Sequence, residues 1–189
     1  MGYFSYYPLI ALTVLAPLFG RKEQFSRAAY VVLASFFLYY LIYLFLPVAG
    51  PQYYFHAVGQ EVIQSGHFPH LGDYFRYHTE LAISPGPDGF FRNLVEATQQ
   101  SGERPTAAFP SSHVGMSTVL MLLLWRGRRA LFFCALPFYF FLCCATVYIQ
   151  AHYLVDVFGG LVTAVVFYAF TNWLFDRYAM WLQRYDQKP

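Results

Sequence analysis

Charged side chains are scarce in this sequence. Asp, Glu, Lys and Arg together make up 12% of its 189 residues, which is about half of their share in soluble globular domains. So few charges cannot cover a water-exposed surface, and apolar residues account for 58% of the chain. The composition therefore predicts an integral membrane protein. Its aromatic share of 22% is typical of chains that anchor themselves at both bilayer interfaces.

Net charge and cysteine content are also low, and each excludes a class of function. A formal net charge of +2 is too small for a nucleic-acid-binding groove, so no nucleic-acid partner is expected. The three cysteines fall within one apolar stretch, where we expect small core residues rather than a disulfide framework or a metal site. They are Cys134, Cys143 and Cys144.

Five apolar stretches are long enough, or nearly so, to cross a bilayer as helices, which takes about 20 residues. They cover residues 3–19, 29–48, 111–125, 130–150 and 153–175. The predicted fold class is an all-α polytopic membrane protein, with a single domain over residues 1–189. We expect a bundle of about five transmembrane helices.

Basic residues cluster after the first, third and fifth of these stretches: Arg21, Lys22, Arg27, Arg126, Arg128, Arg129, Arg177, Arg184 and Lys188. The positive-inside rule assigns such clusters to the cytoplasm, so segment 49–110 is predicted to form an extracytoplasmic cap. Helical spacing of apolar residues predicts a short amphipathic helix over 90–98 in the cap and another over 176–185 on the inner face. We expect a bacterial inner membrane protein whose cap faces the periplasm or the exterior.

Polar residues stand at the outer ends of two stretches. His113 begins the third stretch, while His152 and Asp156 begin the fifth. Ionisable groups near the bilayer are costly unless they line a cavity, so these three indicate a functional site. His152 and Asp156 are one helical turn apart, and we expect the carboxylate to accept a hydrogen bond from one imidazole nitrogen, leaving the other free as a nucleophile or base. The alternative is a structural pair that joins membrane helices.

Ser111 and Ser112 follow Pro110 directly before an apolar run. This pattern predicts a helix start with a hydroxyl cap. We expect its backbone N–H groups and helix dipole to attract phosphate oxygens, while His113 donates a proton to a leaving alcohol. The alternative is an ordinary capped helix with a histidine that reaches toward the interface.

These residues carry a family resemblance. Pro110-Ser111-Ser112-His113, followed about forty residues later by His152-x-x-x-Asp156 and Gly159-Gly160, resembles two motifs of the type 2 phosphatidic acid phosphatase superfamily of membrane phosphatases. The resemblance implies that His152 attacks phosphorus to form a phosphohistidine, His113 protonates the leaving oxygen, and Asp156 orients His152. It also implies a phospholipid or lipid-linked phosphate substrate, no metal cofactor, and one further helix before residue 3.

The sequence departs from the family pattern at the phosphate-binding positions. Ala145 and Thr146 stand where the third motif usually has Ser-Arg, and the usual first motif of Lys and Arg-Pro is not evident. Segment 47–52 resembles instead the inositol phosphotransferase-like branch of the superfamily, which makes Gln52 a candidate substrate-binding residue. A phosphoryl transition state needs cationic stabilisation, and Arg104 is the first candidate to supply it.

Several functions remain open at this point. The leading hypothesis is a phosphatase for a lipid or lipid-linked phosphate ester, and the nearest alternative is a phosphotransferase that passes the phosphoryl group or a phospho-headgroup to an alcohol. A non-enzymatic lipid-binding protein would use the same polar residues for helix packing only. A zinc site of two histidines and an aspartate is a weaker alternative.

Overall fold

The computed structural model describes residues 3–16, 22–79, 89, 90, 93, 97 and 104–186. A 3-10 turn, Tyr3–Ser5, leads into helix α1. The α-helices are α1 (Tyr6–Leu15), α2 (Lys22–Phe45), α3 (Pro51–Val58), α4 (Gln60–Gln64), α5 (Tyr74–Tyr77), α6 (Ser112–Gly127), α7 (Arg129–Tyr148) and α8 (Leu154–Asp186). Within the described residues the one β pairing is an isolated parallel bridge between Val48 and Ala107, so the fold is all-α as predicted.

Among the described residues, three helices are long and apolar enough to cross a membrane. These segments are Gln24–Phe45, Arg129–Tyr148 and Leu154–Trp181. Their outer faces expose large apolar side chains such as Phe37, Phe141 and Val162, which lipid rather than water accommodates. The chain is therefore an integral membrane protein. The other two predicted spans correspond to the shorter helices Tyr3–Leu15 and Ser112–Gly127, and the total of five spans stays a prediction.

Helix α6 lies at the centre of the bundle and contacts α1, α2, α7 and α8. Met116, Leu120 and Leu124 on α6 are buried in the main apolar core. Gly115 of α6 and Gly160 of α8 lie close together, because a Cβ added at Gly160 would lie 3.2 Å from the Gly115 nitrogen and 2.6 Å from the Ser111 carbonyl oxygen. Two glycines therefore let the two backbones meet near the start of both helices.

Helix α8 runs further than the sequence analysis predicted. It spans 33 residues, a length of about 50 Å, and includes the segment 176–185 for which we expected a separate helix on the inner face. That expectation is wrong. The reason is that neither glycine nor proline occurs between Leu161 and Asp186, so nothing ends the helix at the membrane boundary.

The predicted burial of the cysteines is corrected in part. All three lie on α7, and Cys134 and Cys144 are exposed on its outer face while Cys143 is partly buried. Helix α7 is apolar on all sides, since its lipid-facing surface needs apolar residues as much as its packed surface does. Apolar periodicity therefore could not tell which cysteine faces the core.

Basic residues and the predicted catalytic residues lie at opposite ends of α6. Arg27, Arg126 and Arg128 surround a cavity of about 220 Å³ at one end, and Arg27 also pairs with Asp176 of α8 at 2.6 Å. His113 stands at the other end of α6, about 20 Å away along the helix axis. On that side, α3, α4 and α5 occupy part of the predicted cap. The amphipathic helix expected over 90–98 lies mostly outside the described residues.

Candidate active site

Two loops bring His113 and His152 together. Ser111 caps α6, since its hydroxyl accepts a hydrogen bond from the Val114 N–H at 3.3 Å, and His113 sits in the first turn. A left-handed residue, Gln150 with φ of 59°, reverses the chain between α7 and α8. The Ser111 N–H then donates to the Asp156 carbonyl at 2.9 Å and ties the two helix starts together.

The two imidazoles are in direct contact. His152 Nε2 lies 3.5 Å from His113 Nδ1, and the ring centroids are 5.7 Å apart. The convergence that the sequence analysis expected from two distant segments is therefore present in the structure. Only 5% of the His152 surface is exposed, whereas His113 is partly exposed.

His152 is oriented by a backbone carbonyl. Its Nδ1 lies 2.8 Å from the Ala108 oxygen, and a carbonyl oxygen can only accept a hydrogen bond. The proton of the neutral ring is therefore on Nδ1, and Nε2 carries the free lone pair. This tautomer suits nucleophilic attack from Nε2, the atom that faces His113.

Asp156 does not make the hydrogen bond to His152 that its spacing predicted. Its carboxylate is 3.8 Å from His152 Nδ1, which is beyond hydrogen-bond distance but close enough for a strong electrostatic interaction in a site that is 1% exposed. The carboxylate instead accepts a hydrogen bond from the Tyr153 N–H at 2.7 Å. Asp156 thus caps the start of α8 and places a negative charge behind His152.

The first turn of α6 is less available to an anion than predicted. The Ser112 N–H donates to the Tyr43 hydroxyl at 2.9 Å, and that hydroxyl in turn donates to the Pro110 carbonyl at 2.7 Å. Ser111 is fully buried and stands behind the cavity wall. A tyrosine from α2 therefore satisfies the N–H group that we expected to bind an anion, while the Ser112 side of the turn still lines the cavity.

A cavity of about 440 Å³ opens in front of the two histidines. Its polar wall contains His113, His152, Ser112, Gln52 and Arg104, five of the seven residues predicted for the site. Its other wall is aromatic and aliphatic, and it is formed by α1 and α2 with Tyr6, Tyr7, Ile10, Phe36, Tyr39, Tyr40, Tyr43 and Leu44. One cavity thus combines a polar end with an apolar end.

Backbone pairing positions Arg104 and Gln52 beside the histidines. The Val48 N–H donates to the Thr106 carbonyl at 3.0 Å, and the Gln52 N–H donates to the Gln150 carbonyl at 3.0 Å. Segment 47–52 is therefore held both to the loop that carries Arg104 and to the turn before His152. Among the described lining residues, Arg104 is the one side chain with a permanent charge.

The two positions that depart from the third motif of the family lie outside the cavity. Ala145 and Thr146 do not occur among its described lining residues. Thr146 is fully buried in α7, where its hydroxyl donates to the Cys143 carbonyl at 2.8 Å and its carbonyl accepts the His152 N–H at 3.1 Å. In this chain the threonine supports the turn that holds His152 rather than contacting a ligand.

Three tyrosines and one backbone carbonyl at the site were not predicted from the sequence. Tyr3 and Tyr6 pack against His113 with ring-centroid distances of 4.8 and 4.9 Å, and Tyr43 satisfies the start of α6. Tyrosines near the ends of apolar stretches are typical of interfacial anchors, so their type gave no signal. The Ala108 carbonyl is a backbone group, so the residue type at this position gives no indication of its role. The only hint in the sequence was its position just before the Pro-Ser-Ser-His motif.

The remaining histidines are exposed, as expected for surface positions: His56, His67, His70 and His78. Two further arginines follow α4 in the sequence. Arg76 is exposed on α5 and does not line the cavity, and Arg92 lies outside the described residues. Among the described residues there is no group of three or more His, Cys, Asp and Glu with the geometry to hold a metal ion.

The fold and the site together define a membrane helix bundle with a paired-histidine cavity at one end. The family model of the PAP2 superfamily matches residues 1–170, which is most of the chain, and the protein belongs to that superfamily. Members of this superfamily are phosphatases and phosphotransferases, so the chain is an enzyme of that broad class. Comparison with the curated proteins and with the solved structures gave no match.

Proposed function

We propose that the protein is a membrane phosphatase that hydrolyses an amphiphilic phosphate monoester through a phosphohistidine on His152. The observation that carries the proposal is the contact between His152 Nε2 and His113 Nδ1 at the cavity wall, with His152 Nδ1 held by the Ala108 carbonyl. A free imidazole lone pair beside a second imidazole supplies a nucleophile and a proton donor that are close enough to act on the same phosphate ester.

The reaction takes two balanced steps. A phosphoryl group enters between the rings, His152 Nε2 forms a bond to phosphorus, and the bond from phosphorus to the alcohol oxygen breaks as the His113 imidazolium gives that oxygen its Nδ1 proton and becomes neutral. Water then attacks the phosphohistidine, the N–P bond breaks, and His113 Nδ1 takes up the proton of the water. Inorganic phosphate leaves, and both rings return to their starting states.

Charge in the first step is balanced by groups on two sides of the cavity. Phosphorylated His152 becomes positively charged, and the Asp156 carboxylate at 3.8 Å from Nδ1 stabilises it. The equatorial phosphoryl oxygens carry the negative charge. Arg104 lines the polar wall, and its planar guanidinium is suited to bind two of these oxygens at once. Gln52 contributes a neutral hydrogen-bonding group on the same wall.

An amphiphilic substrate fits the shape of the cavity. The wall formed by α1 and α2 is apolar and aromatic, and Tyr40 and Leu44 on it also reach the outer face of α2, where they are 63% and 72% exposed. An alkyl or prenyl chain is therefore expected to lie along this wall toward the lipid, with the phosphate at the histidines.

The alternative is a phosphotransferase. Segment 47–52 supports kinship with the inositol phosphotransferase-like branch, in which an alcohol replaces water.

The site is expected to face the periplasm or the exterior of a bacterial inner membrane. Support comes from the arginines at the far end of α6, which the positive-inside rule assigns to the cytoplasm. A substrate phosphate would then be presented from the outer leaflet of that membrane.

The test uses purified protein in lipid vesicles with phosphatidic acid labelled in its phosphate group. We expect release of inorganic phosphate and an acid-labile phosphoprotein after rapid quenching. In His152→Asn the amide N–H replaces the Nδ1 donor toward the Ala108 carbonyl but no nucleophile remains. This variant should stay folded and lose at least about 10³-fold in turnover, together with the phosphoprotein. His78→Asn, on the exposed cap, is the matched control.

The outcomes separate the alternatives. Full activity of His152→Asn would overturn the phosphohistidine mechanism. Labelled phosphate that appears on an added alcohol and never as inorganic phosphate would identify a transferase. Absence of both reactions over a panel of lipid phosphates, with a protein that still binds them, would favour the non-enzymatic function.

A further inference from the structure

Tyr3 contacts the ring nitrogen of His113 that faces away from His152. It lies in the turn before α1 and is 1% exposed, and its hydroxyl oxygen is 3.1 Å from His113 Nε2. Tyr6, one helical turn along, packs against the same imidazole. His113 is therefore held between the N-terminal helix on one side and the His152 loop on the other.

The hydrogen bonds assign the proton of His113. His152 carries its proton on Nδ1, since that atom faces a carbonyl oxygen, so His152 Nε2 is an acceptor. His113 Nδ1 must then be the donor in the 3.5 Å contact between the rings. In the neutral ring this leaves His113 Nε2 bare, and the Tyr3 hydroxyl donates to it.

A hydroxyl can reverse this bond when the ring is charged. Imidazolium carries a proton on both nitrogens, and the Tyr3 oxygen then accepts from Nε2 while Nδ1 keeps its proton on the side of His152. After Nδ1 has given its proton to the leaving oxygen, the remaining proton stays on Nε2 and continues to bond Tyr3. The same contact therefore holds the ring before and after proton transfer.

We infer that Tyr3 is a positioning residue for the proton donor His113, and that it keeps Nδ1, rather than Nε2, directed at the leaving oxygen of the substrate. The inference rests on the proposed function. It assigns to the N-terminal turn a part in the reaction, although the turn lies more than a hundred residues before the histidine motifs in sequence.

The test compares two leaving groups in Tyr3→Phe. An alkyl phosphate needs its leaving oxygen protonated, whereas a nitrophenyl phosphate releases a stable phenolate without help. Tyr3→Phe should slow alkyl phosphate turnover by roughly tenfold to a hundredfold, a part of what a positioned proton donor contributes. Turnover of the nitrophenyl ester should change less than about threefold. Ser5→Ala, in the same turn, is the control, because its hydroxyl is directed to the Phe138 carbonyl.

A pH profile supplies a second readout. The hydrogen bond from charged His113 to the Tyr3 oxygen is stronger than that to the neutral ring, so losing it favours the neutral ring. In Tyr3→Phe the alkaline limb of kcat/KM for the alkyl ester should therefore move to lower pH. The substitution leaves in place Tyr6 and His152, which contact His113, and Asp156, which lies behind His152. It also leaves in place the other titratable or charged groups that line the cavity with His113: Tyr7, Tyr39, Tyr40, Tyr43, Tyr53 and Arg104.

Three results would overturn the inference. Equal slowing of both esters with an unmoved alkaline limb would make Tyr3 a merely structural residue, and so would equal slowing in Ser5→Ala. Unchanged alkyl ester turnover in Tyr3→Phe would remove its role altogether. Failure of the proposed function looks different, because His152→Asn would then hydrolyse both esters at the normal rate.

Discussion

At the scale of a single residue, Asp156 makes two separable interactions. Its carboxylate accepts a hydrogen bond from the Tyr153 N–H, which caps α8, and its charge lies 3.8 Å from His152 Nδ1. The amide oxygen of an asparagine can still accept the hydrogen bond from the Tyr153 N–H, but the amide has no negative charge to place beside His152. The pair of substitutions Asp156→Asn and Asp156→Ala therefore distinguishes the cap from the charge.

We expect Asp156→Asn to keep its thermal stability but to lose roughly 10²-fold in turnover, because the positive phosphohistidine loses its counter-charge; this corresponds to about 2.7 kcal/mol in the barrier. Asp156→Ala should lose the same activity and, in addition, about 1 kcal/mol of stability from the missing cap. Turnover and thermal unfolding of the two variants measure the difference. Undiminished turnover in the asparagine variant would exclude the electrostatic role.

The ionisable side chains at the site were predictable, but the groups that contact them were not. His113 and His152 were expected from polar residues at the outer ends of apolar stretches, and Arg104 from the need for a cation beside a phosphate; all three line the cavity. The spacing of His152 and Asp156 favoured a direct hydrogen bond, yet the Ala108 carbonyl occupies that position. A backbone group leaves no mark in composition or spacing, so only the three-dimensional path of the loop reveals it.

At the scale of elements, the contact between α6 and α8 sets the distance between the histidines. Gly160 faces the Ser111 carbonyl oxygen and the Gly115 N–H, which an added Cβ would approach to 2.6 and 3.2 Å. The Tyr39 hydroxyl spans the same junction and lies 2.9 Å from the Thr163 hydroxyl. Even one methyl group would force the helix starts apart.

Gly160→Ala should therefore destabilise the protein by about 1–3 kcal/mol and reduce turnover, since His113 moves with α6. Gly127→Ala is the matched control, because a Cβ there meets nothing within 4 Å. Thermal unfolding and phosphate release measure both effects. A Gly160→Ala protein with normal stability and turnover would show that the junction adapts without moving the histidines.

Helix positions were easier to predict than helix ends. The apolar stretches located α2, α6, α7 and α8 because a membrane demands continuous hydrophobicity. The end of α8 was missed, since hydropathy marks where the bilayer stops and does not mark where the backbone stops being helical. The orientation of α7 about its axis was missed for a related reason, as Cys134 and Cys144 demonstrate.

At the scale of the whole molecule, the basic end and the histidine end lie at opposite ends of α6, and we expect them to face opposite sides of the membrane. Arg128 is exposed at the basic end, and Tyr77 on α5 is 76% exposed on the side of the site. Composition was sufficient to predict a membrane protein. Arginine distribution predicted its orientation, and that orientation can be tested directly.

We expect a cysteine at Tyr77 to react with a membrane-impermeant maleimide in intact cells, and a cysteine at Arg128 to react only after permeabilisation. Both substitutions are made in a background in which the natural cysteines, Cys134, Cys143 and Cys144, are replaced by alanine. That background alone should remain unlabelled. The reverse labelling pattern would place the candidate site in the cytoplasm and contradict the predicted orientation.

The hydrogen bond from the Ser111 N–H to the Asp156 carbonyl has a consequence for the enzyme in different membranes. It joins the segments that carry the two histidines through main chain, and we expect the opposite ends of α6 and α8 to respond to lipid thickness by tilting. The joint acts as a fixed pivot for such tilts. Lipid composition is therefore expected to alter how firmly the bundle holds together more than how far apart its two imidazoles stand.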